Sequence, residues 1–543
     1  MSESYDYIIV GAGSAGCTLA NRLSADTSVS VLLLEAGPVD KFPMIHMPGG
    51  MLEVFKHGGY HWQTPTVPQE HLNDRQITLI TGKTLGGSSS VNGMLHIRGT
   101  AADYNRWADE EGCEGWSYED VLPYFRATET SSDGANEQRG GAGELNAASV
   151  PEHYPTAKLV NHYQNAAREQ GIVAREDFCD GIAEGVGWTQ ATIKDGKRHS
   201  AASAFLKPVM ARPNLTVITE AQVQRVEFDR SPVASGGQPV ACGVTYRCKG
   251  ITQSVKAERE VILSAGALRS PQLLQLSGIG ERSHLQSLGI EMVSELPAVG
   301  ENLHDHPTLK LQYPCREPIT MSGLTLWQKL KIGVQWTFFK TGLGSWNHFD
   351  GNMFVKSKEG LEETDLQIQM VPLIAHGIEK GIGDEHGITF VLCLLAEKSR
   401  GSIKIQSRDA GESPLFDLGF MSDAADFEPL KRGIALCRRI AASEQWGGLL
   451  GGELKPGDGV ETDTQMEAYI RAELENDYHY GGTCCMGPAD AAHTVVDPKL
   501  RVKGVQGLRV ADASIMPLPL HGNTSASCVM IGAKAADLML SDY

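Results

Sequence analysis

Tyr7-Ile8-Ile9-Val10-Gly11-Ala12-Gly13-Ser14-Ala15-Gly16, closed downstream by Glu35, is the stretch that decides the fold. Tyr5 to Val10 reads as a short buried strand. Gly11 and Gly13 permit a tight turn and let the backbone approach a pyrophosphate, and Gly16 lets the following helix, Ser14 to Ser24, pack on the strand. The helix N-terminus then offers free N–H groups and a partial positive charge to phosphates. Val29 to Leu34 reads as a second apolar strand, and Glu35, 19 residues after Gly16, stands where a ribose hydroxyl needs an acceptor. Glycines alone also mark ordinary turns. Strand, glycines, helix, strand and acid in register specify a dinucleotide site, leaving open NAD or FAD and what is oxidised.

With 543 residues, the chain is too long for one compact core, so two or more domains are expected. Its 41% hydrophobic and 21% charged residues fit a soluble globular protein, and its net charge of −18 disfavours nucleic acid and anionic membrane surfaces as partners, both being polyanions. No basic leader precedes the first strand and no apolar run is long enough to span a bilayer. The 11 cysteines are scattered without CxxC pairs, which reads as free thiols in a cytoplasmic setting. His304-Asp305-His306 is weighed as a metal motif and set aside, because no further ligand lies near in sequence; no metal is expected. The segment from Leu324 to Thr341 carries two Trp, two Phe and three Lys. It reads as a helix packed over a second domain, with a membrane or partner surface as the sharper alternative. Self-association remains open.

Asn214 to Thr219, Val223 to Phe228, Val240 to Arg247 and Glu260 to Ser264 read as strands, the last running into a second strand-to-helix turn at Gly266 to Pro271. Asp365 to Val371, Thr389 to Leu395 and Ser402 to Gln406 suggest an antiparallel sheet. Gly504 to Asp512 then returns to a buried parallel strand, followed by a helix from Thr524 to Ser541. The expected fold is α/β: a Rossmann-like dinucleotide domain (1–150, 200–306 and 480–543) with an inserted α+β domain built on an antiparallel sheet (151–199 and 307–479). The polar, Gly-rich run 131–143 reads as a solvent loop, with an active-site flap as the alternative.

A second glycine-rich run, Gly82-Lys83-Thr84-Leu85-Gly86-Gly87-Ser88-Ser89-Ser90-Val91-Asn92-Gly93-Met94, lets backbone lie against a large planar or phosphorylated ligand. With it the chain resembles the glucose–methanol–choline (GMC) family of flavin oxidoreductases over nearly its whole length. The other motifs that carry the resemblance are Gly266 to Gly280, Gly300-Glu301-Asn302-Leu303 with Asp305-His306, and Val510 to Pro517. The resemblance implies FAD. It places Gly11, Gly13, Ser14, Ala15, Gly16 and Glu35 at its dinucleotide part, Val223 near the adenine, and Gly87, Asn92, Gly93 and Leu95 against the flavin. Asp512 and Ala513 fall near the ribityl chain. Val91 stands where some relatives carry a flavin-linking His, so noncovalent FAD is expected.

The same resemblance singles out His479, in a run similar to YHPVGTCxMG, and Asn523, in one similar to GNTNAPT, both facing the flavin. Alcohol oxidation removes a hydroxyl proton and a hydride. Imidazole suits the first task as a base, and an amide N–H can hold the developing alkoxide. The expected activity is oxidation of a primary alcohol, with His479 as base and Asn523 orienting the alkoxide and touching the flavin, and with oxygen or a quinone or dye as acceptor. Choline oxidation, a redox-silent cyanohydrin lyase and a nonenzymatic flavin-binding module are the alternatives. Thr81, Tyr480-Gly481, Ser525 and Ser527 depart from the family pattern around the pocket. Trp346, Asp350, Tyr478 and His521 are candidate substrate contacts, with Trp62, Asn347, His348 and Phe349 as further wall residues; aromatics plus a carboxylate would suit a quaternary ammonium.

Overall fold

The computed structural model describes residues 4–150, 154, 156–377 and 381–542; the expected domain boundary at 150–151 abuts residues outside that set. Two seven-stranded sheets organise the chain. In the first, Ser4–Val10 lies between Val31–Leu34 and the long strand Ile251–Leu263, parallel to both, and Leu215–Ile218 extends the parallel array at the edge. Ile251–Leu263 also pairs with Val240–Cys248 through its first half and with Leu508–Val510 through its second. One strand thus joins a hairpin extension to the returning C-terminal segment. These central strands are apolar without alternation because helices cover the parallel sheet. Ser14–Leu23 packs beside the C-terminal helix Ser525–Ser541, so closely that a Cβ on Gly532 would lie 2.6 Å from the Ala15 carbonyl oxygen. Both ends of the chain therefore build the same layer.

The second sheet runs in the order Glu475–Asn476, Pro307–Pro314, Gly387–Leu394, Leu366–Val371, Gly351–Val355, Gly185–Trp188 and Ala174–Arg175. All neighbours are antiparallel except the last pair. The helix Phe427–Ala441 covers one face. On the opposite face Thr308 with Lys310, and Gln369 with Val371, point into a cavity at the two-residue spacing of a strand. Ser402–Lys404 does not join this sheet as the sequence suggested. Among the described residues its strand partner is Leu415–Asp417, and it is held by Gln275, whose side-chain NH2 donates to the Ile403 carbonyl (2.9 Å) and whose oxygen accepts from the Ile405 N–H (2.9 Å).

The 131–143 run does not border the cavity. Arg139, 2% exposed, donates to Glu129 (2.8 Å) and Asp177 (2.7 Å) and fastens it from within. All 11 cysteines are free thiols. Among the described residues no helix is long and apolar enough to cross a membrane. The Trp-bearing helix spans Leu326–Phe339, started by a reciprocal capping box between Thr325 and Gln328. Only Trp336 in it is buried, so it rests on the protein by one narrow edge rather than packing over the second sheet.

Candidate active site

One continuous cavity of ≈ 490 Å³ runs from the N-terminal glycine motif to His479 and Asn523. Its first end is shaped by close backbone approach. Gly11 has φ +104°, and a Cβ there would sit 2.4 Å from the Ser264 carbonyl oxygen. A Cβ on Gly16 would meet the Gly11 carbonyl oxygen at 1.9 Å, so Gly16 serves the turn and does not itself line the wall. Ser14 and Ala15 do line it, at a helix N-terminus whose cap residue, Gly13, offers no side-chain acceptor. The Glu35 carboxylate accepts the N–H groups of Ala12 (2.9 Å) and Gly37 (2.8 Å) and borders the cavity. Burial outweighs those bonds and pushes its carboxyl up to about 7.

The second glycine loop touches the first. A Cβ on Gly87, where φ is +51°, would lie 2.7 Å from the Gly13 Cα, and the Gly86 N–H donates to the Ala12 carbonyl (2.8 Å). Gly87, Asn92, Gly93, Leu95, Val223, Asp512, Ala513 and Asn523 all line the cavity. Asp512 is buried and accepts from the Gly266 N–H (2.8 Å), the Ser270 hydroxyl (2.5 Å) and the Ser514 N–H (2.8 Å), tying the C-terminal turn to the Gly266 turn. Arg198, which sequence reasoning missed, fastens the glycine loop from behind: it donates to the carbonyls of Ile45 (2.8 Å) and Asn92 (2.7 Å) and to the Asn92 side chain (2.8 Å). Burial lowers its guanidinium to about 9. An uncapped helix N-terminus for phosphate, a buried carboxylate for ribose and a Cβ-free wall for a flat ring fit a long phosphorylated cofactor.

At the other end, His479 Nε2 lies 2.9 Å from Asn523 Nδ2. The Asn523 oxygen accepts from the Gln367 amide (3.4 Å), which turns the Asn523 N–H toward the imidazole, so Nε2 carries the lone pair. His479 Nδ1 lies 3.2 Å from the Asp477 carboxylate and 3.0 Å from His306 Nδ1. The Asp305 carboxylate accepts the N–H groups of His479 (2.7 Å) and His306 (2.9 Å) and so positions both rings. Burial lowers the His479 pKa, with Asp477 pulling it back up; burial raises that of Asp477, with His479 opposing. The imidazole is therefore neutral near pH 7, with a free nitrogen facing the cavity.

His306, Asp477 and His479 bring ligand-type atoms within 4.8 Å of one another. The His304-Asp305-His306 run does not do so on its own: His304 turns to the Met516 carbonyl (3.2 Å), while Asp305 binds backbone. His306 lay within a recognised motif and Asp477 beside one, but their meeting was not legible, because it is the pairing of 307–308 with 475–476 that brings them together.

Several candidate substrate residues lie elsewhere. The Trp346 indole N–H donates to Asp350 (2.5 Å), Thr156 donates to the same carboxyl (2.9 Å), and neither Trp346 nor Asp350 lines the cavity. His521 is bound to Asp103 and Arg106, also off the wall. Tyr478, Asn347, His348 and Phe349 do line it. Trp62 lines it too, but Lys83 Nζ lies 3.8 Å from its ring centroid and the Arg269 guanidinium carbon 4.6 Å, so its face already meets two cations. Beyond the His479–Asn523 pair the wall carries Met51, Leu52, Met321, Val371, Leu373 and Val391, and its Lys310 is paired with Glu475, which lines it too.

A dinucleotide fold opening onto a half-buried His–Asn pair defines a class, the cofactor-dependent oxidoreductases. The chain belongs to the GMC oxidoreductase family: the family's N-terminal model matches residues 5–308 and its C-terminal model residues 397–532. It is 40% identical over 536 residues to an oxygen-dependent choline dehydrogenase of Sinorhizobium fredii, covering 98% of this chain and 95% of that protein. The similarly named protein of Brucella ovis is 38% identical over the same span. Among solved structures, pyridoxine 4-oxidase from Mesorbium loti superposes with a TM-score of 0.87 at 27% identity, over 98% of this chain and 99% of that one. A formate oxidase superposes with a TM-score of 0.90 at 25% identity, over 100% and 99%.

Proposed function

We propose that the protein oxidises a primary alcohol to the aldehyde with noncovalent FAD, His479 acting as base and Asn523 as alkoxide-orienting donor. FAD, when bound, supplies the hydride acceptor. The observation that carries the reading is the 2.9 Å approach of His479 Nε2 to Asn523 Nδ2 at the cavity wall, with Nδ1 turned away to Asp477 and His306. A substrate hydroxyl replaces the Asn523 bond and gives its proton to Nε2. The Asn523 N–H then holds the oxygen as it gains negative charge, and Asp477 offsets the positive charge on the ring. Val91, 3% exposed, has no nucleophile to bond a flavin; acid precipitation that leaves yellow colour in the pellet would overturn noncovalent attachment.

Choline is the second reading, supported by the names of the related dehydrogenases. Glu475, which neutralises Lys310, and Asp477 both line the cavity beside Phe349 and Tyr478, so the wall offers carboxylates and aromatic faces to a quaternary ammonium. Mixing holoenzyme anaerobically with 1-alkanols, aryl alcohols and choline, and following loss of the oxidised flavin band, ranks them. His479→Ala should bleach the flavin at least ~100-fold more slowly; an unchanged rate refutes the assignment. Aldehyde release from a cyanohydrin without bleaching indicates the lyase reading instead. An oxygen electrode trace with a quinone control identifies the acceptor.

A further inference from the structure

The helix Leu326–Phe339 exposes large apolar side chains to an unusual degree. Leu326 is 82% exposed, Trp327 78%, Phe338 74% and Phe339 70%, with Leu330 and Val334 about half exposed. Leu326, Leu330, Val334 and Phe338 follow one another at four-residue spacing, so they form one outward stripe with Trp327 beside it. The opposite edge holds the helix to the protein. Trp336 is buried and donates its indole N–H to the Gly196 carbonyl (2.8 Å), and Ile332 packs near Gly344. The helix is thus apolar on two sides, and among the described residues one side is unpartnered. Single exposed apolar residues need no explanation, but a contiguous stripe of this kind marks an interaction surface.

Charge indicates what covers it. The whole chain carries −18, yet residues 318–349 contain Lys329, Lys331 and Lys340 and no acidic residue. Lys329 and Lys331 are exposed. The hairpin tip bonded to Trp336 adds exposed Lys194 and Lys197 against a single carboxylate, Asp195. A bilayer with anionic headgroups offers both an apolar interior for the stripe and negative charge for the lysines. Trp and Phe beside Lys are the residue types suited to the boundary between headgroups and acyl chains.

We propose that the Leu326–Phe339 helix lies in the surface of an anionic lipid bilayer, as a peripheral and reversible anchor. Its C-terminal end leads to the cavity. The 3-10 turn Leu343–Ser345 packs on Pro48–Gly50, and Pro48, Gly49, Asn347 and Phe349 are all cavity-lining. Docking therefore sets this part of the cavity wall near the lipid.

The test is co-sedimentation of the FAD-loaded enzyme with vesicles of phosphatidylcholine alone and of phosphatidylcholine with about one-third phosphatidylglycerol. The enzyme should pellet with the anionic vesicles, stay in solution with the neutral ones, and be released by high salt. L330E/F338E should lower the bound fraction at least about 10-fold while oxidation of a water-soluble alcohol is unchanged. K329Q/K331Q leaves the apolar stripe intact, guards against misfolding, and should weaken binding to the anionic vesicles alone. Wild-type enzyme that stays in solution with anionic vesicles, or binding untouched by both variants, overturns the proposal. So does sedimentation velocity showing an oligomer that L330E/F338E dissociates without any vesicle binding, since a second copy then covers the face.

Discussion

Replacing Asp477 with Asn tests the electrostatics of the His479 site with almost no change of shape. The carboxylate lies 3.2 Å from His479 Nδ1, and the two side chains are only 18% and 12% exposed. At an effective dielectric constant of about 20, unit charges at that distance attract by about 5 kcal/mol, an upper bound because both charges are delocalised. A neighbouring opposite charge at this range typically moves a pKa by about 1–3 units. Asn can still accept the Nδ1–H but carries no charge. His479 already sits below the ordinary imidazole value of 6.5 because it is buried, and Asp477 is what pulls it back up. Asp477→Asn should therefore shift it further down. With His479 as the proposed unprotonated base, flavin reduction should rise with pH through its pKa and then level off. The variant's acidic limb should move to lower pH by about 1–2 units. Its plateau rate should fall about 10- to 100-fold, because the imidazolium formed during proton removal loses its counter-charge. The assay is anaerobic stopped-flow flavin reduction from pH 4.5 to 9 at saturating alcohol. A limb that stays in place or moves up would refute the argument that Asp477 stabilises the protonated ring.

Other substitutions probe the cofactor wall and the rejected substrate residues. Gly87→Ala puts a methyl 2.7 Å from the Gly13 Cα at a residue with φ +51°. Left-handed backbone alone costs about 1–2 kcal/mol. The protein should therefore purify with a much lower flavin-to-protein absorbance ratio, and full flavin content would contradict the contact between the two glycine loops. Glu35 is raised to about 7, and a ribose hydroxyl donated to its carboxylate stabilises the ionised form, so binding releases a proton. FAD affinity measured by fluorescence quenching should rise with pH up to about 7, and Glu35→Gln should flatten that dependence. Trp346→Ala removes a buried indole bonded to Asp350, costing about 3–5 kcal/mol in denaturant unfolding while kcat/KM on simple alcohols stays within about threefold. A large fall in kcat/KM without loss of stability would return Trp346 to the pocket.

The N-terminal motif was readable because its requirements are local. Gly16 is dictated by backbone approach within one strand–turn–helix unit, the glycine spacing is that of a single turn, and Glu35 follows at the end of the next strand. Apolar patterning exposed the strands of the first sheet and two of the second, Leu366–Val371 and Gly387–Leu394, whereas Pro307–Pro314, Gly351–Val355 and Gly185–Trp188 were not read as strands. The Ser402–Lys404 strand was legible as a strand but not as to its partner, because a three-residue segment carries no signal of which sheet edge it meets.

The substrate wall was a different matter. Trp346 and Asp350 have the chemistry of an ammonium cage, yet they satisfy each other, and their spacing of four residues does not reveal that. His521 stands two residues before Asn523, yet turns to Asp103, more than 400 residues earlier. The outward face of the Leu326–Phe339 helix was equally hidden, because apolar residues on both sides blur the periodicity that separates a buried face from an exposed one.

By itself, then, the sequence determined the dinucleotide-binding unit, the α/β architecture with its returning C-terminal segment, and His479 and Asn523 as residues of interest. Tertiary structure alone decided that His306, Asp477 and Gln367 orient that pair, that Arg198 fastens the glycine loop, and which aromatics face the cavity. The division has one physical cause. Backbone turns and strand faces are set by neighbours a few residues away, whereas hydrogen-bond partners and cavity walls are set by whichever distant segments the sheets bring together.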